Sequence, residues 1–195
     1  MKKILMTMVA AMLLCGTMNA QDNKHEFGVS YGTGTTTQFI EGWGKIGGII
    51  VTLGNATTDN TKYLGPIAGE YFYRISPVVG VGAIGVYTKM TEDAIFRGNK
   101  VGETSISYVT VMPAVKFNWL RKEYWGMYSK VGAGMTFEKK TEKEIETGET
   151  KSKTDTFFNM QVTALGVEVG KQFCGFAELG FGEQGTLLAG IRYKF

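Results

Sequence analysis

The stretch that decides the fold is "GIRYKF", residues Gly190–Phe195, because its apolar and polar residues alternate up to the last position. Successive side chains of a strand point to opposite faces of a sheet. One face would be apolar and would carry Ile191, Tyr193 and Phe195. The other would carry Arg192 and Lys194. Most soluble domains end in polar, frayed residues. This alternation instead predicts a closing strand whose apolar face is shielded from water.

The same period-two pattern recurs along the chain in eight segments. They are 24–32, 62–75, 78–89, 104–119, 124–138, 156–171, 173–182 and 186–195. An even number of strands of about ten residues is typical of a transmembrane β-barrel. We therefore predict an all-β fold, an eight-stranded antiparallel transmembrane β-barrel.

Three features fit the pattern poorly. Ile84 and Val86 place apolar residues on the face that should be polar. The apolar phase of 156–171 shifts near Ala164, which indicates a β-bulge. Pro113 cannot donate to a ladder, and a closed barrel has no edge strand to hold it.

The connections between the segments alternate in length. The short ones are at 76–77, 120–123 and 172, whereas 33–61, 90–103 and 139–155 are long and 183–185 is tight. Short periplasmic turns and long extracellular loops are typical of outer-membrane barrels. Aromatic residues lie near both ends of the strands, as expected at two membrane–water interfaces. Near the turns they are Tyr73, Trp119, Trp125, Tyr193 and Phe195, and near the loops Tyr31, Tyr63, Tyr87, Phe137, Phe157 and Phe181.

Residues 1–20 have the features of a cleaved signal peptide. Two lysines precede an apolar run at 4–14, and Ala20 follows small and polar residues at a cleavage site. Residues 21–195 would form the outer-membrane barrel. Removing the signal takes two of the 21 basic residues and none of the 18 acidic ones, leaving 19 against 18. This near-neutral balance gives no reason to expect nucleic acid as a partner, and Cys174 remains as the one cysteine, without an intrachain partner.

The face opposite the apolar one carries charges of both signs on different segments. They are Glu26, Glu70, Glu168 and Glu178 with Arg74, Lys116, Lys130 and Arg192. Buried charges require partners, and the lumen of eight strands is just wide enough for side chains to fill. We predict a structural ion-pair network in the lumen, with Arg192 directed toward a glutamate such as Glu178. A proton or ion path along these residues is the sharper alternative.

Three features raise the question of catalysis or cofactor binding. Gly80–Gly85 matches G-x-G-x-x-G, but the run continues as a strand where a dinucleotide site needs a helix. His25 is the single histidine, and we interpret it as a solvated residue at the start of the first strand. Cys174 is interpreted as an unreactive small residue. We predict no catalytic residue, no metal site and no cofactor.

Two connections have distinctive composition. Residues 37–53, "TQFIEGWGKIGGIIVTL", contain apolar residues at helical spacing and would form a cap over the barrel, or else a ligand clamp. Residues 139–155, "KKTEKEIETGETKSKTD", hold five basic and five acidic residues. We interpret them as a solvated hairpin extension, with an adhesive loop as the alternative.

Several stretches resemble the small outer-membrane barrels of Gram-negative bacteria, the OmpX/OmpA type. They are "YLGPIAGEYFYRISPVVGVG" at 63–82, "VMPAVKFNWLR" at 111–121, and "GFAELGFGEQG" at 175–185 with the closing "GIRYKF". The resemblance covers nearly all of 21–195 and implies location in the outer membrane. It also implies that Tyr193 and Phe195 form the assembly signal read by the barrel-assembly machinery.

Together these features favour a non-enzymatic outer-membrane protein with a structural or surface-interaction role, whose lumen is filled by side chains and is not an open pore. The alternatives are an outer-membrane lipid-modifying enzyme and a small-ligand-binding barrel. The expected partners are outer-membrane lipid, the assembly machinery and an extracellular partner at loops 33–61 and 139–155. We expect a monomer.

Overall fold

The computed structural model describes residues 24–36, 56–96, 99–144 and 150–195, and in them eight strands close into one antiparallel barrel. Each strand pairs with the next along the chain, and the last pairs with the first, so that Phe27 lies opposite Tyr193. The strands are β1 His25–Thr33, β2 Ala56–Arg74, β3 Val79–Phe96, β4 Asn99–Arg121, β5 Trp125–Glu144, β6 Thr150–Gly170, β7 Phe173–Gly182 and β8 Leu187–Lys194. The predicted fold class and strand number are confirmed.

Five strands run much further than the sequence pattern indicated. β2 to β6 continue past the other three on the side of the predicted long loops, and the extra residues are paired. The segments 90–103 and 139–155 are therefore mostly strand: Phe96 pairs with Asn99, and Lys143 with Thr150. The hairpin interpretation of 139–155 is confirmed by the pairing from Lys139 with Thr154 to Lys143 with Thr150. The backbone ladder can continue there because the two strands are already in register.

The first long connection keeps only part of its predicted range. β2 begins at Ala56, so the connection from β1 covers 34–55. The helix-like cap predicted at 37–53 lies outside the described residues.

The predicted alternation of faces is present in the barrel wall. In β8 the side chain of Ile191 is 54% exposed, whereas Arg192 is 1% exposed. In β4, Val111 and Phe117 point outward, and Lys116 points into the lumen. The wall is thus inverted relative to a soluble protein, with apolar side chains outside and charged ones inside.

Ile84 and Val86 do face inward, and a local apolar cluster explains them. One sector of the lumen, on β2 to β4, is lined by apolar side chains, namely Ala68, Phe72, Ile84, Val86, Met112 and Ala114. The lumen is therefore divided into an apolar sector and a charged one, and a strictly polar inner face was the wrong expectation for β3.

The irregular positions in β4 and β6 are accommodated in two ways. At Ala164 the register shifts against both neighbouring strands, and Ser129 Oγ donates to the Ala164 carbonyl at 2.8 Å. The predicted bulge is therefore present. Pro113 is paired with Ala83 of β3, but the ladder to β5 resumes only at Ala114 after Val111.

The outer surface carries a continuous apolar band. Along β4 the outward residues from Val109 to Trp119 span about ten steps of roughly 3.3 Å, which gives ~25 Å across a membrane at a tilt of ~40°. That height matches the hydrocarbon band of an outer-membrane barrel. Aromatic side chains are exposed at both ends of the band, including Trp119 and Trp125 near the turns and Phe137 and Phe181 at the opposite end. No helix within the described residues is long and apolar enough to cross a membrane.

Candidate functional site

The charged residues of the inner face come together in one cluster in the lumen. Period-two alternation directs each of them inward from its own strand. They are Glu26 on β1, Glu70 and Arg74 on β2, Lys116 on β4, Lys130 on β5, Glu168 on β6, Glu178 on β7, and Arg192 and Lys194 on β8. All eight residues expected in the network are in this cluster, which also includes Lys194.

Arg192 lies at the centre of this cluster with no exposed side-chain surface. Its Nη2 donates to Glu70 Oε1, and its Nη1 donates to Glu168 Oε2 at 2.6 Å. Its guanidinium carbon is 4.2 Å from the centre of the Phe176 ring. The distance from Nη2 to Glu178 is 3.7 Å, so the guanidinium joins β2 and β6 more closely than it joins the predicted partner on β7.

Two buried lysines link the remaining carboxylates. Lys130 Nζ donates to Glu70 at 2.7 Å and to Glu178 at 2.9 Å. Lys116 Nζ donates to Glu26 at 2.6 Å and to Glu168 at 3.3 Å. Each lysine therefore joins strands that are not neighbours in the wall, and the contacts cross the lumen.

Tyr128 is the member of the cluster that charge counting missed. Its hydroxyl donates to Glu178 at 2.6 Å and accepts from Arg192 at 3.1 Å. The ring lies against Gly166 on β6, where an added Cβ would come within 2.4 Å of it. The sequence alternation predicts that Tyr128 and Gly166 both face the lumen. Their contact, however, depends on the register between β5 and β6.

Polar side chains form further hydrogen bonds inside the barrel above the charged cluster. Thr110 and Thr136 share a hydrogen bond of 2.7 Å, and Asn159 donates to Glu183 at 2.9 Å. Glu183 belongs to the tight connection between β7 and β8, which folds over the lumen and buries Gln184 as well. The connection contains Gly185 at φ 111°, a conformation that glycine adopts readily.

The turn end of the lumen opens into a cavity of about 300 Å³. Its lining includes Arg74 and Lys194 from the strands and Lys171 from the turn between β6 and β7. Glu123, at the turn between β4 and β5, accepts from Lys171 at 2.7 Å. This hydrogen bond lowers the pKa of Glu123 and raises the pKa of Lys171 relative to their ordinary values, so both stay charged over a wide pH range.

His25 is at the start of β1, as the sequence predicted, and it is partly exposed rather than fully solvated. It lies half-buried among aromatic rings, with its ring centre 5.4 Å from that of Phe195 and 5.1 Å from that of Tyr73. Its Nδ1 is 2.7 Å from the Tyr71 hydroxyl. The backbones of His25 and Phe195 are joined by two hydrogen bonds, so this cluster covers the seam between β1 and β8.

The other two features singled out in the sequence have local roles. Gly80–Gly85 is part of β3, as the strand interpretation predicted. The Sγ of Cys174 is buried and donates to the Lys171 carbonyl at 3.1 Å. In the described part of the chain, no three residues among His, Cys, Asp and Glu are grouped closely enough to hold a metal ion.

Comparison with known proteins gave matches only among solved structures. No family model matches the chain, and no curated protein does. One similar structure is Ail, the attachment invasion locus protein of Yersinia pestis, in complex with the heparin analogue sucrose octasulfate. It is 17% identical, covers 88% of this chain and 99% of its own, and has a TM-score of 0.47. A second Ail structure is 17% identical, covers 88% and 96%, and has a TM-score of 0.44.

The architecture itself rests on the strand pairing and the faces of this chain. A closed antiparallel barrel of eight strands with an apolar outer band and a charged lumen is a transmembrane barrel of the outer-membrane type. The small outer-membrane barrels that the sequence resembles have the same architecture.

Proposed function

We propose that this chain is an integral outer-membrane protein without enzymatic activity, which binds an extracellular partner through the strands that continue beyond its barrel wall. Residues 1–20 act as a cleaved signal peptide and 21–195 form a monomeric barrel in outer-membrane lipid. Tyr193 and Phe195 act as the assembly signal for the barrel-assembly machinery. The lumen cluster holds the barrel shut against diffusion.

The observation that carries the proposal is the exposed edge of β6. β7 pairs with β6 only from Gln161 to Gly170, and Glu183 N donates to Met160 O, so the strip from 150 to 159 continues without a β7 partner among the described residues. A free strand edge is a template on which another extended chain can pair. The strip lies on the side opposite the short turns, which is the extracellular side of such barrels.

The chemistry of this strip suits selective contact. Its residues 152–156 are exposed on both faces, and Lys153 pairs with Asp155 at 2.7 Å. Charged side chains on an edge discourage indiscriminate pairing. We infer that a partner must match these charges as well as supply an extended backbone.

The lumen contacts support a closed barrel rather than a diffusion pore. Arg192, Lys116 and Lys130 are each at most 1% exposed and each contact carboxylates from different strands. A water-filled path through this layer would have to separate several buried charge pairs, and breaking such a pair costs about 3–5 kcal/mol.

The test compares two shortened hairpins. In one variant Asn-Gly replaces residues 139–154 and joins the paired Glu138 and Asp155 directly. In the matched control Asn-Gly replaces 92–104 and joins the paired Thr91 and Ser105. Cells with equal surface amounts of each protein are tested for attachment to plates coated with serum proteins, whose extended segments can supply a pairing backbone.

We expect the first variant to reduce attachment at least about fivefold and the control to retain most of it, because only the first shortens the free edge of β6, removing 150–154 together with Lys153 of the exposed charge pair. Unchanged attachment in the first variant, or equal loss in both, would refute the assignment to this edge.

The enzymatic alternative has a separate test. A lipid-modifying barrel needs a base positioned beside a nucleophile or an acid, whereas the single histidine lies among Tyr71, Tyr73 and Phe195. Mass spectra of lipid A from cells with and without this protein should therefore be the same. A mass difference corresponding to an acyl or head-group change would overturn the non-enzymatic proposal.

A further inference from the structure

The cavity at the turn end of the lumen has an excess of positive charge. Its lining contains five basic residues, Arg74, Arg121, Lys122, Lys171 and Lys194, and two acidic residues, Glu123 and Glu168. Arg74, Lys194 and Glu168 of this lining also belong to the charged cluster above, which has five bases against four carboxylates. Arg121, Lys122 and Lys171 are exposed at the rim of the cavity. A cleft lined mainly by one sign of charge raises the local concentration of oppositely charged ligands, so this excess favours an anion.

The rim of this cavity is held by backbone hydrogen bonds. Lys122 N donates to Trp125 O, and Gly170 N donates to Tyr124 O, both at 2.8 Å. The backbone of Lys194 is joined in the same way to the β6–β7 turn. The basic side chains therefore project from a preorganised frame, and preorganisation reduces the free energy lost on binding.

Two basic groups of the lining have capacity left for a ligand. Arg74 donates through Nη2 to Glu26 at 2.8 Å, while its Nε is buried with no hydrogen-bond partner among the described residues. Lys171 contacts Glu123 at 2.7 Å, but both side chains are more than half exposed. A multivalent anion could compete with Glu123 for the ammonium group and could reach further donors in the same cavity.

We propose that this turn-end mouth is a binding site for a small molecule bearing two adjacent phosphate groups. A cavity of about 300 Å³ corresponds to roughly ten waters, which is enough for one diphosphate group. Arginine and lysine both recognise phosphate, arginine through its planar fork and lysine as a point charge. Because the mouth lies inside the barrel wall on the periplasmic side, a soluble periplasmic molecule reaches it more directly than a lipid headgroup does.

The test uses the refolded mature chain in a neutral detergent and inorganic pyrophosphate as the probe. Binding is followed by isothermal titration calorimetry and by the change in total tryptophan fluorescence, since Trp125 lines the cavity. Lys122→Gln removes one charge from the rim, and Lys89→Gln removes one from the exposed outer side of β3 as a matched control. Glu123→Gln removes the carboxylate that competes for Lys171.

We expect Lys122→Gln to weaken pyrophosphate binding about fivefold, and Lys89→Gln to leave it within about twofold. Glu123→Gln should tighten binding about threefold, because it leaves Lys171 available to the anion. A merely structural role of Glu123 would not produce tightening. Higher salt should weaken binding, since the partly exposed charges are screened.

Three results would overturn the proposal. The first is absence of saturable binding at millimolar pyrophosphate, and the second is equal weakening by Lys122→Gln and Lys89→Gln. The third is a preference for vesicles containing phosphatidylglycerol over vesicles of phosphatidylcholine alone, with no competition by pyrophosphate, which would assign the basic residues to lipid. Competition by pyrophosphate supports the soluble ligand.

Discussion

Replacing Arg192 with Met, which roughly conserves the volume of the side chain, should strongly destabilise the barrel. The guanidinium donates to Glu70 and Glu168, and it lies over the Phe176 ring. Met keeps most of the apolar stem but supplies no donors. Glu70 would then depend on Lys130, which it already shares with Glu178.

The expected loss is about 3–5 kcal/mol of unfolding free energy, the usual effect of removing one partner from a buried ion pair. Charge balance alone would predict the opposite, because the substitution leaves four bases against four carboxylates in the cluster. The loss would therefore come from the position of the charge. Glu70→Gln added to Arg192→Met should recover ~1–2 kcal/mol, because it removes a carboxylate that the first change leaves with too few donors.

The measurement is equilibrium urea unfolding in lipid vesicles, followed by tryptophan fluorescence and by the gel mobility of unboiled samples. Arg192→Lys separates charge from geometry, since it keeps the charge but loses the planar fork that reaches two strands. Lys153→Met removes a charge from an exposed pair and should cause no measurable change. If Arg192→Met lost less than about 1 kcal/mol, or if the double variant were less stable than the single one, the account of the network would be refuted.

Three further predictions concern close contacts and the terminus. Gly82→Ala would place its Cβ 1.9 Å from a backbone oxygen of β2, so it should cost ~2 kcal/mol or more in the same unfolding assay, whereas Gly69→Ala, whose Cβ meets nothing within 4 Å, should be nearly neutral. Gly166→Ala should displace the Tyr128 ring and destabilise the barrel by a similar amount, and wild-type stability in this variant would contradict the packing described. Deletion of Phe195 should lower the amount of assembled protein in the outer membrane more than it lowers the stability of barrel already folded, and unchanged amounts in membrane fractions would exclude an assembly role.

The strand count and the inward phase of the charged residues could be predicted because both depend on period two. Arg192 and Lys194 share a face with Gly190 whatever the barrel geometry, so their inward direction followed from the sequence. The bulge at Ala164 could be predicted for the same reason, since an extra residue reverses the phase of everything after it.

The pairing of charges across the lumen could not be predicted in this way. Arg192 meets Glu70 and Glu168 more closely than Glu178 because strand stagger sets the height of each residue inside a barrel. Stagger is a property of all eight strands together, and no local pattern specifies it. The same limit explains why Tyr128 was not recognised as a partner of these charges.

The continuation of the strands was underestimated for a different reason. The segment 139–155 has no apolar face, and a strand is recognised from its sequence by the alternation of apolar and polar residues. Residues 152–156 are exposed on both faces of the sheet, so polar residues can occupy both faces there. Pairing such as that of Lys143 with Thr150 is then maintained by the backbone ladder and by the preceding register.

The central claim is that the charged cluster around Arg192 closes the lumen, and electrical conductance tests it most directly. The refolded mature chain, shown to be folded by its mobility shift on boiling, is inserted into planar lipid bilayers in concentrated potassium chloride. The account predicts no sustained conductance steps from the wild-type protein, because Arg192, Lys116 and Lys130 occupy the lumen together with their carboxylates. Stable open steps in the wild type would contradict it.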